Sequence, residues 1–80
     1  MTNLEIYTNV FTDLFAMTAD EVQNLQYQGI KEWDSVGHMT LISSLEDAFD
    51  IEMDTDDIID FDSYEKGKEL LKKYNIDVND

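Results

Sequence analysis

The sequence predicts an all-α fold, a four-helix up-down bundle with a long first loop and a short third helix, formed by residues 1–80 as a single domain. Three observations predict it. Apolar residues recur at three- and four-residue spacing, and no segment carries the strict alternation of a half-buried strand. A Thr or Asp stands three residues ahead of a Glu at Thr2/Glu5, Thr18/Glu21 and Asp62/Glu65, the pattern of a helix start. The chain also lacks proline, so no position forbids helix through a missing N–H.

Each element follows from its own residues. Thr2 and Glu5 cap a first helix over about residues 3 to 16, with Tyr7, Val10, Phe11 and Leu14 on one stripe. Thr18 and Glu21 repeat the cap ahead of Val22 and Leu25, which predicts a helical turn inside a long connection to Trp33, with Gly29 as its breaker. Asp34 or Ser35 starts the second helix, which runs to about Asp50. Thr55 caps a short third helix holding Ile58 and Ile59. Asp62 with Glu65 caps the last, from about residue 63 to 74. Its inner stripe is Tyr64, Gly67, Leu71 and Tyr74, and Lys72 and Lys73 complement its negative end.

At this length a folded domain buries only about 60% of the surface of its unfolded chain, so a deep enclosed active site is not expected. Hydrophobic residues make up 42% of the chain, enough to fold a protein of net charge −14. The absence of cysteine excludes disulfides, thiolate metal sites and cysteine nucleophiles. No apolar run approaches the roughly 20 residues of a membrane span, and Met1-Thr2-Asn3-Leu4-Glu5 is not a signal-peptide start, so the cytoplasm is the expected location. Charge is uneven: −5 over residues 1–34, −9 over residues 35–62, which hold no Lys or Arg, and 0 over residues 63–80. Such a surface repels nucleic acid and anionic lipid and steers basic proteins toward the middle of the chain. Crowded carboxylates there are expected to take up protons more readily than separated ones.

The second helix has two contrasting faces. On a wheel of about 100° per residue, Leu41, Ile42, Leu45, Ala48 and Phe49 form the core face. The opposite arc gathers Val36, Met39, Thr40, Ser43, Glu46 and Asp47. Apolar side chains rimmed by carboxylates on an outward face form a docking strip, unless Val36 and Met39 tuck under the long first loop.

Ser35 is the candidate site of chemistry, but no base accompanies it, and a serine hydroxyl alone is a poor nucleophile. His38 lies three residues on, yet the wheel turns it toward Leu45, and no orienting carboxylate is recognisable; it is expected to be a packing residue. An enzyme is therefore not expected. Asp50, Glu52, Asp54 and Asp56 alternate like the ligands of a calcium loop, but Thr55 stands where glycine is needed and Phe61 where the bidentate Glu belongs. No dedicated metal site is expected, only loose divalent-ion association.

The Asp34-Ser35-Val36 triplet at the start of the second helix, the following Leu41, Ile42, Leu45, Glu46 and Phe49, and the acidic stretch to Asp62 carry a family likeness. On these residues the chain resembles an acyl carrier protein from its first helix to Tyr74. The resemblance implies that Ser35 receives 4′-phosphopantetheine from coenzyme A, covalently, and that acyl groups ride on that arm as thioesters. It implies for Asp34 a role as metal ligand and orienting group for the transferase, beside its possible role as helix cap. The implied partners of this monomer are a phosphopantetheinyl transferase and acyl-loading and acyl-accepting enzymes with basic docking patches, without nucleic acid or membrane insertion. Val36 stands where the family most often has Leu. Ser43, Gly37-His38 and Trp33 depart from the fatty-acid carriers and resemble dedicated carriers of specialised pathways. The competing reading is an unmodified acidic module that docks basic proteins through the same helix.

Overall fold

The computed structural model describes residues 1–78 and is all-α. Among the described residues it has five α-helices: α1 (Asn3–Phe15), α2 (Ala19–Val22), α3 (Ser35–Phe49), α4 (Thr55–Asp60) and α5 (Tyr64–Leu71), the last continued by a 3₁₀ turn over Lys72–Tyr74. None is long and apolar enough to cross a membrane.

The starts of α1, α2, α3 and α5 are built by side chains that accept from backbone N–H groups otherwise without partners. Thr2 and Glu5 form a reciprocal capping box on α1, at 3.1 and 3.0 Å, and Thr18 and Glu21 do the same for α2, at 3.3 and 2.9 Å. These bonds hold the Glu5 and Glu21 carboxyls below the usual carboxylate range. Asp34 caps α3 by accepting from the Gly37 N–H at 2.9 Å. Two expected caps move by one residue. Asp54, not Thr55, stands at the start of α4, and Ser63, not Asp62, caps α5 by accepting from the Lys66 N–H at 3.0 Å. The left-handed residue of the first loop is Gln28, at φ 63°, rather than the expected breaker Gly29.

The core is aromatic at its centre. Phe11 has the rings of Tyr7, Phe15, Trp33, Phe61 and Tyr64 around it, with centroids 5.0 to 6.3 Å away and mostly in tilted or edge-on geometry. Leu41, Ile42 and Leu45 bring α3 into this cluster as expected, and Phe49 packs half-buried at its margin. Ala48 is instead exposed, because the buried stripe of α3 is narrower than the wheel arc drawn for it. The Tyr7 hydroxyl donates to the Tyr64 carbonyl at 2.6 Å and ties α1 to α5; burial pushes this hydroxyl up and keeps it a neutral donor. Gly67 lies where a Cβ would run into the Phe61 ring and the Tyr7 hydroxyl, so α5 can approach the core this closely only because this position has no side chain.

Among the described residues one charged side chain is buried. Asp57 is 4% exposed and accepts from the Lys73 ammonium at 2.8 Å and the Tyr74 hydroxyl at 2.6 Å. The same Tyr74 oxygen accepts from the Asp54 N–H at 2.8 Å. The C-terminal 3₁₀ turn is thereby latched to the start of α4. The hydrogen bond from Lys73, then that from Tyr74, holds the Asp57 carboxyl below the usual range despite burial. For Asp57 this reverses the expectation that carboxylates of the acidic stretch take up protons readily, because its side chain is turned inward to the donors Lys73 and Tyr74.

Candidate functional site

The site is assembled where the first loop meets α3 and α4. Residues between α2 and α3 are fixed to the α4–α5 junction by two backbone bonds, from the Tyr27 N–H to the Asp62 carbonyl at 2.8 Å and from the Tyr64 N–H to the Leu25 carbonyl at 3.0 Å. Gln26 and Ser63 form an isolated antiparallel bridge between them. The loop then turns through a bond from the Gln28 N–H to the Trp33 carbonyl at 2.9 Å, and the fully buried Trp33 anchors it in the core. Gly37 lets the loop lie directly on α3, since a Cβ there would strike the Glu32 carbonyl.

Ser35 is the first residue of α3 and is exposed. Its Oγ lies 3.3 Å from the Tyr27 hydroxyl. Beside it runs an open groove of about 340 Å³, lined by Tyr27, Ser35, His38, Met39, Ile58 and Ile59. His38 is half-buried on the inner side of α3 and both of its ring nitrogens are engaged. The Trp33 indole N–H donates to Nδ1 at 3.0 Å, and Nε2 lies 2.7 Å from the Ile58 carbonyl. A carbonyl only accepts and Trp33 only donates, so His38 is the neutral Nε2–H tautomer. Its ring stacks on Trp33 at 6.1 Å and meets Tyr27 and Phe61 edge-on. It clamps α4 to α3, and neither nitrogen faces Ser35 as a base.

The predicted docking residues divide. Val36 and Met39 are 76% and 52% exposed and do not tuck under the loop. Thr40, Ser43 and Asp47 are also exposed on this arc, although the Thr40 hydroxyl donates back to the Val36 carbonyl at 3.1 Å. Glu46 is half-buried, and its Oε2 accepts from the Met53 N–H at 2.8 Å, holding the chain after α3. It is a structural acceptor before it is a surface charge. Two residues were not expected at the site. Ile59 is 71% exposed beside the groove, and Tyr27 reaches the Ser35 hydroxyl. The adjacency Ile58-Ile59 was a usable signal for the first, because neighbours on a helix lie about 100° apart and a six-residue helix cannot turn both fully inward. Tyr27 carried no local signal.

A prosthetic arm on Ser35 fits these residues: the hydroxyl is accessible, the Tyr27 hydroxyl, which can donate or accept, stands at its oxygen, and the groove continues from it over apolar side chains. Among the described residues no group of three or more His, Asp or Glu side chains is placed to hold a metal ion. Comparison of the chain with protein-family models, with curated proteins and with solved structures gave no match.

Proposed function

We propose that this chain is a carrier protein of the acyl-carrier type, modified on Ser35 with 4′-phosphopantetheine and passing cargo between enzymes without catalysing a reaction of its own. The observation that carries the reading is an exposed serine on the first turn of a 15-residue helix, capped by Asp34, whose neighbouring histidine is tied to Trp33 and Ile58. Such a serine is a substrate for another enzyme's base. In the modification, Ser35 Oγ forms a bond to the β-phosphorus of coenzyme A's diphosphate, the P–O bond to the leaving group breaks, adenosine 3′,5′-bisphosphate departs, and the hydroxyl proton passes to the transferase. The arm supplies a terminal thiol for thioester chemistry. Asp34 holds the first turn by its bond to the Gly37 N–H and so fixes where Ser35 stands.

The four-helix up-down arrangement belongs to the same reading, with α2 taken as a turn within the long first loop. Val36, Met39, Thr40, Ser43 and Asp47 then form the face offered to the transferase and to acyl-handling enzymes, their basic patches steered by the nine acids between residues 35 and 62. The exposure of Val36, Met39 and Ile59 also favours a second reading, an unmodified module binding basic proteins through this face.

Intact-mass measurement after incubation with coenzyme A, Mg²⁺ and a broad-specificity phosphopantetheinyl transferase separates the two. The expected result is a gain of one phosphopantetheinyl group on the wild type and none on Ser35→Ala. An unchanged wild-type mass under conditions that convert a control carrier overturns the carrier reading and leaves the binding module.

A further inference from the structure

The four methionines stand in different settings. Met53 is 7% exposed, in the segment that Glu46 holds after α3, and Met17 is half-buried against the core. Met1 is exposed ahead of the α1 cap. Met39 is 52% exposed and is the methionine that lines the groove beside Ser35. It stands about one helical turn beyond Ser35 on α3, and Val36, three residues before it, is exposed on the same side.

A thioether in solvent reacts with hydrogen peroxide without an activating base, whereas the Ser35 hydroxyl needs one. A sulfur lone pair attacks one peroxide oxygen, and the S–O bond forms as the O–O bond breaks. The departing hydroxide takes the proton left on the transferred oxygen, so the products are a sulfoxide and water. The sulfide is oxidised by two electrons and the peroxide is reduced. A flexible apolar side chain becomes a polar one carrying an acceptor oxygen. In the free protein, water satisfies that oxygen. Under a partner's surface the water is lost, and the groove has no spare side-chain donor to replace it. Both His38 nitrogens are engaged, the Tyr27 hydroxyl is bonded to Ser35 Oγ, and Ile58 and Ile59 offer none. A polar group covered without a partner weakens association.

We propose that Met39 is a reversible oxidation site, through which peroxide controls access to Ser35; the control, though not the site, rests on the carrier reading. The sulfoxide weakens docking of the transferase on the face around Ser35, and enzymatic reduction of the sulfoxide restores it. The fold shields Met53 and Met17, so the surface responds at a peroxide exposure that leaves the core intact.

The test treats the full-length chain and Met39→Leu with hydrogen peroxide and follows each methionine by site-resolved mass spectrometry, with circular dichroism as a check on the fold. The rate at which a phosphopantetheinyl transferase modifies each treated protein is then divided by the rate of the same protein untreated. The expected result is sulfoxide at Met39 ahead of Met17 and Met53, with the helical signal unchanged. The rate ratio should fall about tenfold in the wild type, return after treatment with methionine sulfoxide reductases, and stay near one in Met39→Leu. Oxidation of Met17 or Met53 as early as Met39 overturns the site. Oxidised Met39 with an unchanged rate overturns the control of Ser35, and an equal fall in Met39→Leu does the same by assigning the effect to another methionine. An untreated wild type that gains no phosphopantetheinyl group overturns the carrier reading and the control together, while the order of oxidation still decides the site.

Discussion

At the scale of single residues, His38 shows how a side chain with catalytic reputation becomes structural. Its position on the inner side of the Ser35 helix was legible from spacing, but its two partners come from Trp33 in the loop and from the Ile58 carbonyl on another helix. No local pattern announces a long-range carbonyl. Replacing His38 with Ala leaves the Trp33 N–H facing a void and removes the bridge to α4. Loss of hydrogen bonds by buried groups and the cavity together cost about 2–4 kcal/mol. A domain of this size has about 5 kcal/mol or somewhat more in total, so urea unfolding of His38→Ala should show a midpoint reduced by roughly half. A midpoint within a tenth of the wild type would mean that the bridge is not made in solution.

At the scale of elements, α3 divides into a core face and an outward face, and two adjacent acids on it have different work. Asp47 is exposed, whereas Glu46 accepts from the Met53 N–H. Asp47→Lys should slow modification of Ser35 by the transferase while leaving the melting temperature nearly unchanged. Glu46→Lys should do both, slowing modification and losing about 1–2 kcal/mol of stability with its half-buried acceptor. Modification rates by mass and thermal melts by circular dichroism check the pair, and equal effects on both quantities would overturn the division. The starts of α1, α2 and α3 were legible because Thr2, Thr18 and Asp34 bond to N–H groups a few residues away. The starts of α4 and α5 were misjudged by one residue where Asp, Thr and Ser compete side by side. Asp54 leads α4 without a side-chain cap bond, and its N–H donates instead to the Tyr74 hydroxyl twenty residues on. Tyr27 and Ile59 were missed for a related reason: the groove they line exists only after the loop, α3 and α4 have met.

At the scale of the whole molecule, a net charge of −14 is held together partly by carboxylates that face donors. Asp57, Glu5 and Glu21 are all held below the usual range, so their contribution is fully present above the unfolded value near 4 and is lost as pH falls through their lower folded values. Melting temperature should therefore drop below about pH 4. Asp57→Asn should cost about 1–2 kcal/mol at neutral pH and almost nothing at the acid end, where the wild-type latch is itself protonated. Parallel pH curves for the two proteins would show that Asp57 does not stabilise through its charge. The stitching of the first loop to Asp62 and Tyr64 also sets an order of events during synthesis. A ribosome adding roughly 5–20 residues per second delivers Ser35 before either of those residues exists. Until they leave the exit tunnel, the serine belongs to a helix with no finished surroundings, and an enzyme that reads those surroundings must wait until Tyr64 has emerged.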